Sequence, residues 1–276
     1  MHRQQLVSIC AAILMILGLC GGCGFRSDGP PSFFVPPQST TTTSAATTST
    51  TDTAISTTTS RITNATKTST TKRSNLTGSH KIDVPVLAQK PEYPSGCESV
   101  SAVMALQYFG EPVRVYQFID AHLPMNSRFH YKGGMRYGPS PYEYFIGHPT
   151  SEQSYGCMAP VIEKALVSYF GDDSRVINAT GASLPELCAR YIDNDLPVLV
   201  WVTIAMLETY TNAEWYLEDG SLFEWPANEH CMVLVGYDKN NYIFNDPYSG
   251  KIVKHRKALS EDRYAALGQQ SIVITR

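Results

Sequence analysis

The sequence has few of the features that mark nucleic-acid, metal or nucleotide binding. Its 276 residues carry a net charge of −3, and without a basic stripe nucleic-acid binding has no support. The folded part contains no CxxC or HExxH spacing suited to a metal ion, and no GxxxxGK(S/T) phosphate loop occurs anywhere. We therefore expect no metal, no cofactor and no nucleic-acid partner.

Large apolar residues are almost missing from residues 39–77, where Ser and Thr predominate. Such a segment cannot bury enough surface to offset the conformational entropy that folding removes. We interpret residues 24–80 as a disordered Ser/Thr-rich stalk. Residues 81–276 are enough for one domain with a full hydrophobic core.

The apolar run at residues 6–19 is too short for a membrane span. Arg3 precedes it and small residues follow, so residues 1–23 predict an export signal. The LCGGC ending at Cys23 resembles a bacterial lipobox, although Cys20 stands where an aliphatic residue is usual. We expect a lipid anchor at Cys23 that holds the domain outside the cytoplasm on the cell membrane; simple secretion and an uncleaved anchor are the alternatives.

Cysteine is sparse in the folded domain, which contains Cys97, Cys157, Cys188 and Cys231. Disulfides are possible outside the cytoplasm, but a domain of this size does not need them. Cys188, on a predicted helix, and Cys231, in an apolar strand, suit buried free thiols. A Cys157–Cys188 bridge is the alternative.

Helical patterns dominate the first half of the domain. Apolar spacing predicts a helix over residues 97–109, ended by Gly110, and a second over residues 159–170, ended by Gly171. A capping box at Ser183 starts a third helix that runs to about residue 193. Residues 111–150, rich in Gly, Pro and Tyr, predict a long loop region with one short helix that forms a cleft wall.

Strand patterns dominate the second half. A short strand is predicted at residues 82–87, and the apolar run PVLVWVT at residues 197–203 predicts a central buried strand. Residues 230–237 and 242–245 predict a hairpin around the DKNN turn. Strands at residues 251–255 and 272–275 complete the sheet. Helices followed by an antiparallel sheet indicate an α+β fold.

Cys97 is a candidate nucleophile because it begins a predicted helix. The helix dipole and the free amides at this position favour a thiolate, and a nearby imidazolium would favour it further. The alternative is a small core residue at a helix start.

His230 and Asp246 are the candidate base and its orienting group. Hairpin pairing brings the start of the first strand close to the end of the second, so Asp246 can orient the imidazole of His230. Asn245 is a competitor, because an amide can also orient imidazole and the two neighbouring side chains point opposite ways. Asp246 could instead be only a turn residue before Pro247.

Gln89 is a candidate oxyanion donor. Its side-chain N–H, together with the backbone N–H of Cys97, would stabilise a tetrahedral intermediate. Glu229 could either tune His230 or be a solvated charge. Four further histidines are expected to be surface residues, namely His122, His130, His148 and His255. The three tryptophans could line a cleft or pack in the core, namely Trp201, Trp215 and Trp225.

These segments resemble the papain-like double-glycine (bacteriocin-leader) peptidases, most closely their stand-alone exported relatives. The matching stretches run from residue 82 to residue 275 and are VPVLAQ, GCES, PVLVWVT, EHCMVLVGYD and YIFNDP. The resemblance implies a papain-like α+β fold with Cys97 as nucleophile, His230 as base, Asp246 as orienting residue and Gln89 as oxyanion donor. Two departures are Glu98, where transporter-borne members have Gly, and a Gln–Cys gap longer by two residues.

The expected function is therefore an exported cysteine peptidase or amide hydrolase. Its substrate would be a peptide, including cell-wall stem peptides, and we expect a monomer whose membrane contact is the lipid anchor. Because no phosphate loop is present, cleavage coupled to an export transporter is not expected. One alternative is a catalytically inactive peptide- or wall-binding module, and another is an acyltransferase or transpeptidase.

Overall fold

The structure, a computed structural model, describes residues 78–276. This part contains five α-helices and thirteen short or medium strands. The helices are α1 (Cys97–Tyr108), α2 (Val115–His122), α3 (Ala159–Phe170), α4 (Leu184–Arg190) and α5 (Lys257–Ala266). The strands are β1 (His80–Lys81), β2 (Met125–Asn126), β3 (His130–Lys132), β4 (Met135–Tyr137), β5 (Phe145–Ile146), β6 (Val176–Asn178), β7 (Val198–Thr203), β8 (Thr211–Tyr216), β9 (Leu222–Pro226), β10 (Glu229–Tyr237), β11 (Asn241–Asp246), β12 (Lys251–Arg256) and β13 (Ser271–Ile274).

The predicted export signal at residues 1–23, the lipidation at Cys23 and all but the last three residues of the stalk lie outside the described residues. Across residues 78–276, no helix combines the length and the apolar character needed to cross a membrane.

The three predicted helices correspond to α1, α3 and α4. Gly171 follows α3 with a φ of 81°, a conformation in which a side chain would be strained. Ser183 accepts a hydrogen bond from the N–H of Glu186, and the Glu186 side chain accepts one from the N–H of Ser183. This reciprocal cap fixes the start of α4 as predicted, although α4 ends at Arg190 and a short 3₁₀ turn, Ile192–Asn194, follows.

A seven-stranded antiparallel sheet forms the centre of the domain. Its order is β12-β11-β10-β7-β13-β6, and β1 also pairs with β10. All six residues of β7 are buried, as the continuous apolar run predicts for a central strand. Helix α1 packs on β10 and β7, while α5 packs on β7, β11 and β12. The predicted α+β arrangement, with helices packed on an antiparallel sheet, is confirmed.

The hairpin of β10 and β11 also forms where the sequence predicts it. The Asp238 carboxylate accepts hydrogen bonds from the N–H groups of Asn240 and Asn241. The side chain of the first turn residue therefore stabilises the turn. The two strands pair antiparallel, with Val233 opposite Asn245.

The predicted strand at residues 82–87 is wrong in its position. The ladder with β10 covers only His80 and Lys81, and the following segment is irregular although Ile82 and Val84 are buried. Pro85 has no N–H for a ladder. The carbonyls of Val84 and Pro85 instead accept hydrogen bonds from the Asn245 side chain.

The four cysteines of the domain are free and buried. This agrees with the expectation for Cys188 and Cys231, and the alternative Cys157–Cys188 bridge is not formed. Of the two alternatives for the tryptophans, the structure shows core packing for all three, Trp201, Trp215 and Trp225.

Candidate active site

Cys97 is the first residue of α1, and Gly96 precedes it. Any side chain at Gly96 would be crowded, since its Cβ would lie 2.9 Å from Tyr93 Cβ and 3.1 Å from Pro149 Cβ. Glycine therefore lets the chain pass between these two residues and present the cysteine at the helix N-terminus. The first N–H groups of a helix have no partner within the helix, so the Cys97 amide is free to bind an oxygen atom.

His230 lies on β10 and contacts Asp246 at the end of β11. The distance from Nε2 of the imidazole to Oδ1 of Asp246 is 2.7 Å, and the imidazole is 2% exposed. Burial opposes ionisation of Asp246, but the hydrogen bond and charge of His230 outweigh it and hold the pKa of this carboxyl below its usual value. Since the carboxylate can only accept, Nε2 carries the proton, and Nδ1 of a neutral imidazole is left as an acceptor.

Asp246, and not Asn245, contacts the imidazole. Asn245 is buried and points the other way, where its Nδ2 donates to the carbonyl of Val84 at 2.9 Å. Asp246 also accepts hydrogen bonds from the N–H groups of Tyr248 and Ser249, so it both contacts the imidazole and closes the turn that follows β11.

Gln89 is buried beside the same hairpin. Its backbone N–H donates to the carbonyl of Pro247 at 2.8 Å, and its side-chain Nε2 donates to the carbonyl of Pro94 at 2.7 Å. The next residue, Lys90, places Nζ 4.1 Å from the ring centroid of Tyr248, which makes an edge contact with His230. The Gln89 loop therefore joins the residue after Asp246 to the segment before Cys97.

The Cys97 thiol faces two buried glutamates. Its sulfur lies 3.3 Å from Oε2 of Glu98, and within residues 78–276 no hydrogen bond joins it to His230. Burial raises the pKa of the Cys97 thiol well above its usual value, and the charges of Glu98 and Glu229 raise it further. The expected stabilisation of the thiolate by the helix N-terminus is therefore outweighed in this resting state, because desolvation penalises the charged form.

Glu229 is buried at the start of β10, so it is not a solvated charge. Sequence reasoning also passed over Glu98. The available signal was position: one glutamate directly follows the candidate nucleophile and the other directly precedes the candidate base, and each is the only acidic residue of its element.

Cys97, Glu98 and Glu229 place one sulfur or oxygen atom each within 4.8 Å of one another. Such atoms are of the types that bind metal ions. However, both oxygens of Glu98 already have protein partners, the Cys97 sulfur and the N–H of Cys157. Cys97 and Glu98 are therefore hydrogen-bonded to each other, whereas Oε1 of Glu229 has no hydrogen-bond partner among the described residues.

An open cleft of about 700 Å³ lies near the segment before the nucleophile, but Cys97, His230 and Asp246 are not among the residues that line it. Ser95 donates its backbone N–H to the carbonyl of Pro149 and its hydroxyl to the carbonyl of Ser151. Ser151 lines the cleft, together with residues from the predicted cleft-wall region, namely Met125, Asn126, Ser127, Arg128, Gly147 and His148, and with Gln153 and Ser154. This arrangement agrees with a wall formed by residues 111–150, which contain α2 and four short strands.

The other histidines are outside this constellation. His130 and His148 are exposed, and His122 and His255 are partly exposed, as expected for residues without a catalytic context.

Comparison with known proteins finds a family and a solved structure that are similar to this chain. The model of the Peptidase_C39 like family matches residues 81–272. A crystal structure described as a C39-like peptidase from Bacillus anthracis matches with a TM-score of 0.62 and 25% identity, and the match covers 72% of this chain and 98% of that one. No curated protein matches.

Proposed function

The chain belongs to the Peptidase_C39 like family, and from this premise we propose that it is a cysteine peptidase with Cys97 as nucleophile, His230 as base and Asp246 as orienting residue. Membership of the family and the similarity to a C39-like peptidase support the cysteine peptidase-type domain. The assignment of the individual residues rests on their geometry in this chain.

The main support for this assignment is the buried hydrogen bond between His230 Nε2 and Asp246 Oδ1, at 2.7 Å. It fixes which nitrogen holds the proton and leaves Nδ1 as the acceptor. Ser101 of α1 donates its hydroxyl to the carbonyl of Cys231, the residue next to His230, and α1 packs against β10. The free nitrogen and the thiol therefore belong to one packed unit.

In the proposed reaction, the Cys97 sulfur attacks the carbonyl carbon of a peptide bond while its proton moves to Nδ1 of His230. The tetrahedral intermediate collapses to a thioester, and the leaving amine takes the proton from Nδ1. Water then attacks the thioester carbon, again giving a proton to Nδ1, and release of the acid product returns that proton to sulfur. Asp246 holds the imidazole in position and stabilises its charged form.

Gln89 supports the oxyanion of the intermediate in this proposal. One N–H of its amide is bound by Pro94, and the second hydrogen remains for the substrate oxygen, beside the free backbone N–H of Cys97. Preorganised donors of this kind lower the barrier because they act where charge develops.

We expect Gln89→Ala to lower kcat by about 10²- to 10³-fold with little change in KM, because the lost interaction forms only in the transition state. Gln107→Ala is the matched control. Gln107 also donates its side-chain amide to a backbone carbonyl, that of Val113, but lies at the far end of α1. Equal losses in the two variants would contradict the oxyanion role.

The proposed function is tested by alkylation of Cys97 with iodoacetamide in the full chain, followed by mass spectrometry of the peptide that contains it. Since the thiol is buried and its pKa is raised, fast alkylation near pH 7 requires a base that removes its proton. We expect His230→Ala to slow this alkylation by about 100-fold, the lower range for a general base.

His255→Ala is the control, because His255 lies on β12 and is only partly buried. Alkylation of Cys188, buried in α4, reports unfolding in every sample. If Cys97 reacts at the same rate with and without His230, the Cys–His pair does not operate, and an inactive peptide- or wall-binding module takes its place. Products formed with added amines would instead identify an acyltransferase.

The location and substrate form part of the same proposal. Export and lipidation at Cys23 would hold the peptidase outside the cytoplasm, where peptides, including wall peptides, are its substrates. The support comes from the sequence of residues 1–23 and from the open cleft beside Ser95.

A further inference from the structure

Two buried glutamates are sequence neighbours of the proposed catalytic residues, since Glu98 follows Cys97 and Glu229 precedes His230. Their side chains lie close together in the fold. Glu98 is in the first turn of α1 and is fully buried, and Glu229 is at the start of β10 and is 9% exposed. Both face the backbone of Gly156: a Cβ at that glycine would lie 2.6 Å from Oε1 of Glu98 and 3.3 Å from Oε2 of Glu229. Glycine at this position leaves room for the two carboxyl groups.

Glu98 links the start of α1 to the segment before α3 through its two oxygens. Oε1 accepts the N–H of Cys157 at 2.6 Å, and Oε2 lies 3.3 Å from the sulfur of Cys97. Glu229 has no such set of partners, since its Oε1 is buried without a hydrogen bond. A buried carboxyl oxygen without a donor is costly when the group is ionised, so Glu229 is suited to carry a proton.

Within residues 78–276, no cation forms an ion pair with Glu98 or Glu229. The titratable groups that act on Glu98 and Glu229 from the surrounding elements are thiols and each other, namely Cys97 on α1, Cys157 before α3 and Cys231 on β10. Two carboxylates in one buried site without a cation cannot both ionise at moderate cost.

We propose that Glu98 is a positioning residue for the nucleophile, with Glu229 as its protonated partner: Glu98 is neutral when Cys97 reacts readily, and ionisation of Glu98 holds the proton on the Cys97 sulfur. This inference rests on the proposed function. When Glu98 is neutral, the thiol is free to give its proton to His230. When Glu98 is ionised, its oxygen accepts the S–H bond and its charge opposes formation of a thiolate beside it.

The pKa directions agree with this geometry. Burial raises the pKa of Glu98 to about 7, against the hydrogen bonds from its own backbone and from Cys157, which lower it. Burial, and then the charge of Glu98, raise the pKa of Glu229 well above its usual value. Glu98 is therefore the first of the two to ionise as the pH rises.

The test compares Cys97 alkylation by iodoacetamide at pH 6 and pH 8 in the full chain, using the wild type, Glu98→Gln and Glu229→Gln. At pH 6 all three should react within about twofold of one another, because glutamine resembles the protonated carboxyl. At pH 8 Glu98→Gln should react about tenfold faster than the wild type, as expected when one neighbouring charge shifts a pKa by about one unit. Glu229→Gln should still follow the wild type, since its amide is neutral and close in size to the protonated carboxyl that it replaces.

Equal rates for Glu98→Gln and the wild type at pH 8 would overturn the inference, and an increase in Glu229→Gln instead would assign the ionising group to Glu229. These outcomes are distinct from failure of the proposed function, which His230→Ala reports in the same assay. Should Glu98→Gln not fold, carboxyl ¹³C NMR of glutamate-labelled wild type and Glu229→Gln decides: both should show a glutamate that titrates within about one unit of pH 7, and its absence would refute the proposal.

Discussion

Replacing Cys97 by alanine should abolish peptide hydrolysis, with a loss on the order of 10⁴-fold or more in kcat/KM. The reason is chemical: no other group in the described site can form the thioester, and without it His230 has no proton to accept in the first step. The measurement is cleavage of a diverse peptide mixture by the full-length chain, with products quantified by mass spectrometry.

Cys188→Ala is the matched control for this loss. It also replaces a buried cysteine on a helix by alanine, but Cys188 lies in α4, within the apolar cluster that includes Leu184 and Leu187. We expect its activity to stay within about threefold of the wild type, since surface and core changes away from a site act mainly on stability. Comparable activity in Cys97→Ala and the wild type would remove Cys97 from the mechanism.

The sequence predicts those parts of the fold whose signals are local. Helix α3 shows an apolar stripe with Pro160 in the first turn and Gly171 at its end, and β7 is a continuous apolar run, so both were placed almost to the residue. Helix α5 is not predicted from the sequence, because the segment is polar and only Ser260 and Tyr264 of the helix are buried. The strands β8 and β9 were missed for a similar reason, since outward-facing Glu214 and Glu224 interrupt their apolar residues.

In the candidate site, too, only those contacts that follow from local sequence patterns can be predicted. Hairpin geometry alone brings His230 and Asp246 together, so pairing rules could predict that contact from the sequence. The Glu98–Glu229 contact depends instead on how α1 packs on β10, and no local pattern encodes it. Likewise, burial of Cys97 by its neighbours reverses the pKa direction that its place at a helix N-terminus alone would suggest.

Replacement of Asp246 has the second large expected effect, and the loss of kcat/KM depends on which residue replaces it. Asp246→Ala should lower kcat/KM by about 10³-fold, because it removes the only acceptor for His230 Nε2 within the described residues and frees the ring to turn. Asp246→Asn should cost only about tenfold. Oδ1 accepts from both His230 and the N–H of Tyr248, so these two donors keep the amide oxygen, not its nitrogen, at that place. The imidazole then retains its tautomer and loses only the stabilisation of its charge.

Asn245→Ala tests whether the orientation of His230 depends on Asp246 alone or also on the neighbouring Asn245. Asn245 holds the carbonyls of Val84 and Pro85 and does not touch the imidazole, so its loss should lower the free energy of unfolding by about 1–3 kcal/mol while kcat/KM stays within a few-fold. Urea unfolding and peptide cleavage, measured on the same three variants, test whether Asp246 acts on catalysis and Asn245 on stability. If Asp246→Asn were as damaging as Asp246→Ala, the amide would have turned its nitrogen toward His230 and imposed the wrong tautomer. The charge of Asp246 would then be needed to choose the nitrogen that carries the proton, in addition to stabilising the imidazolium.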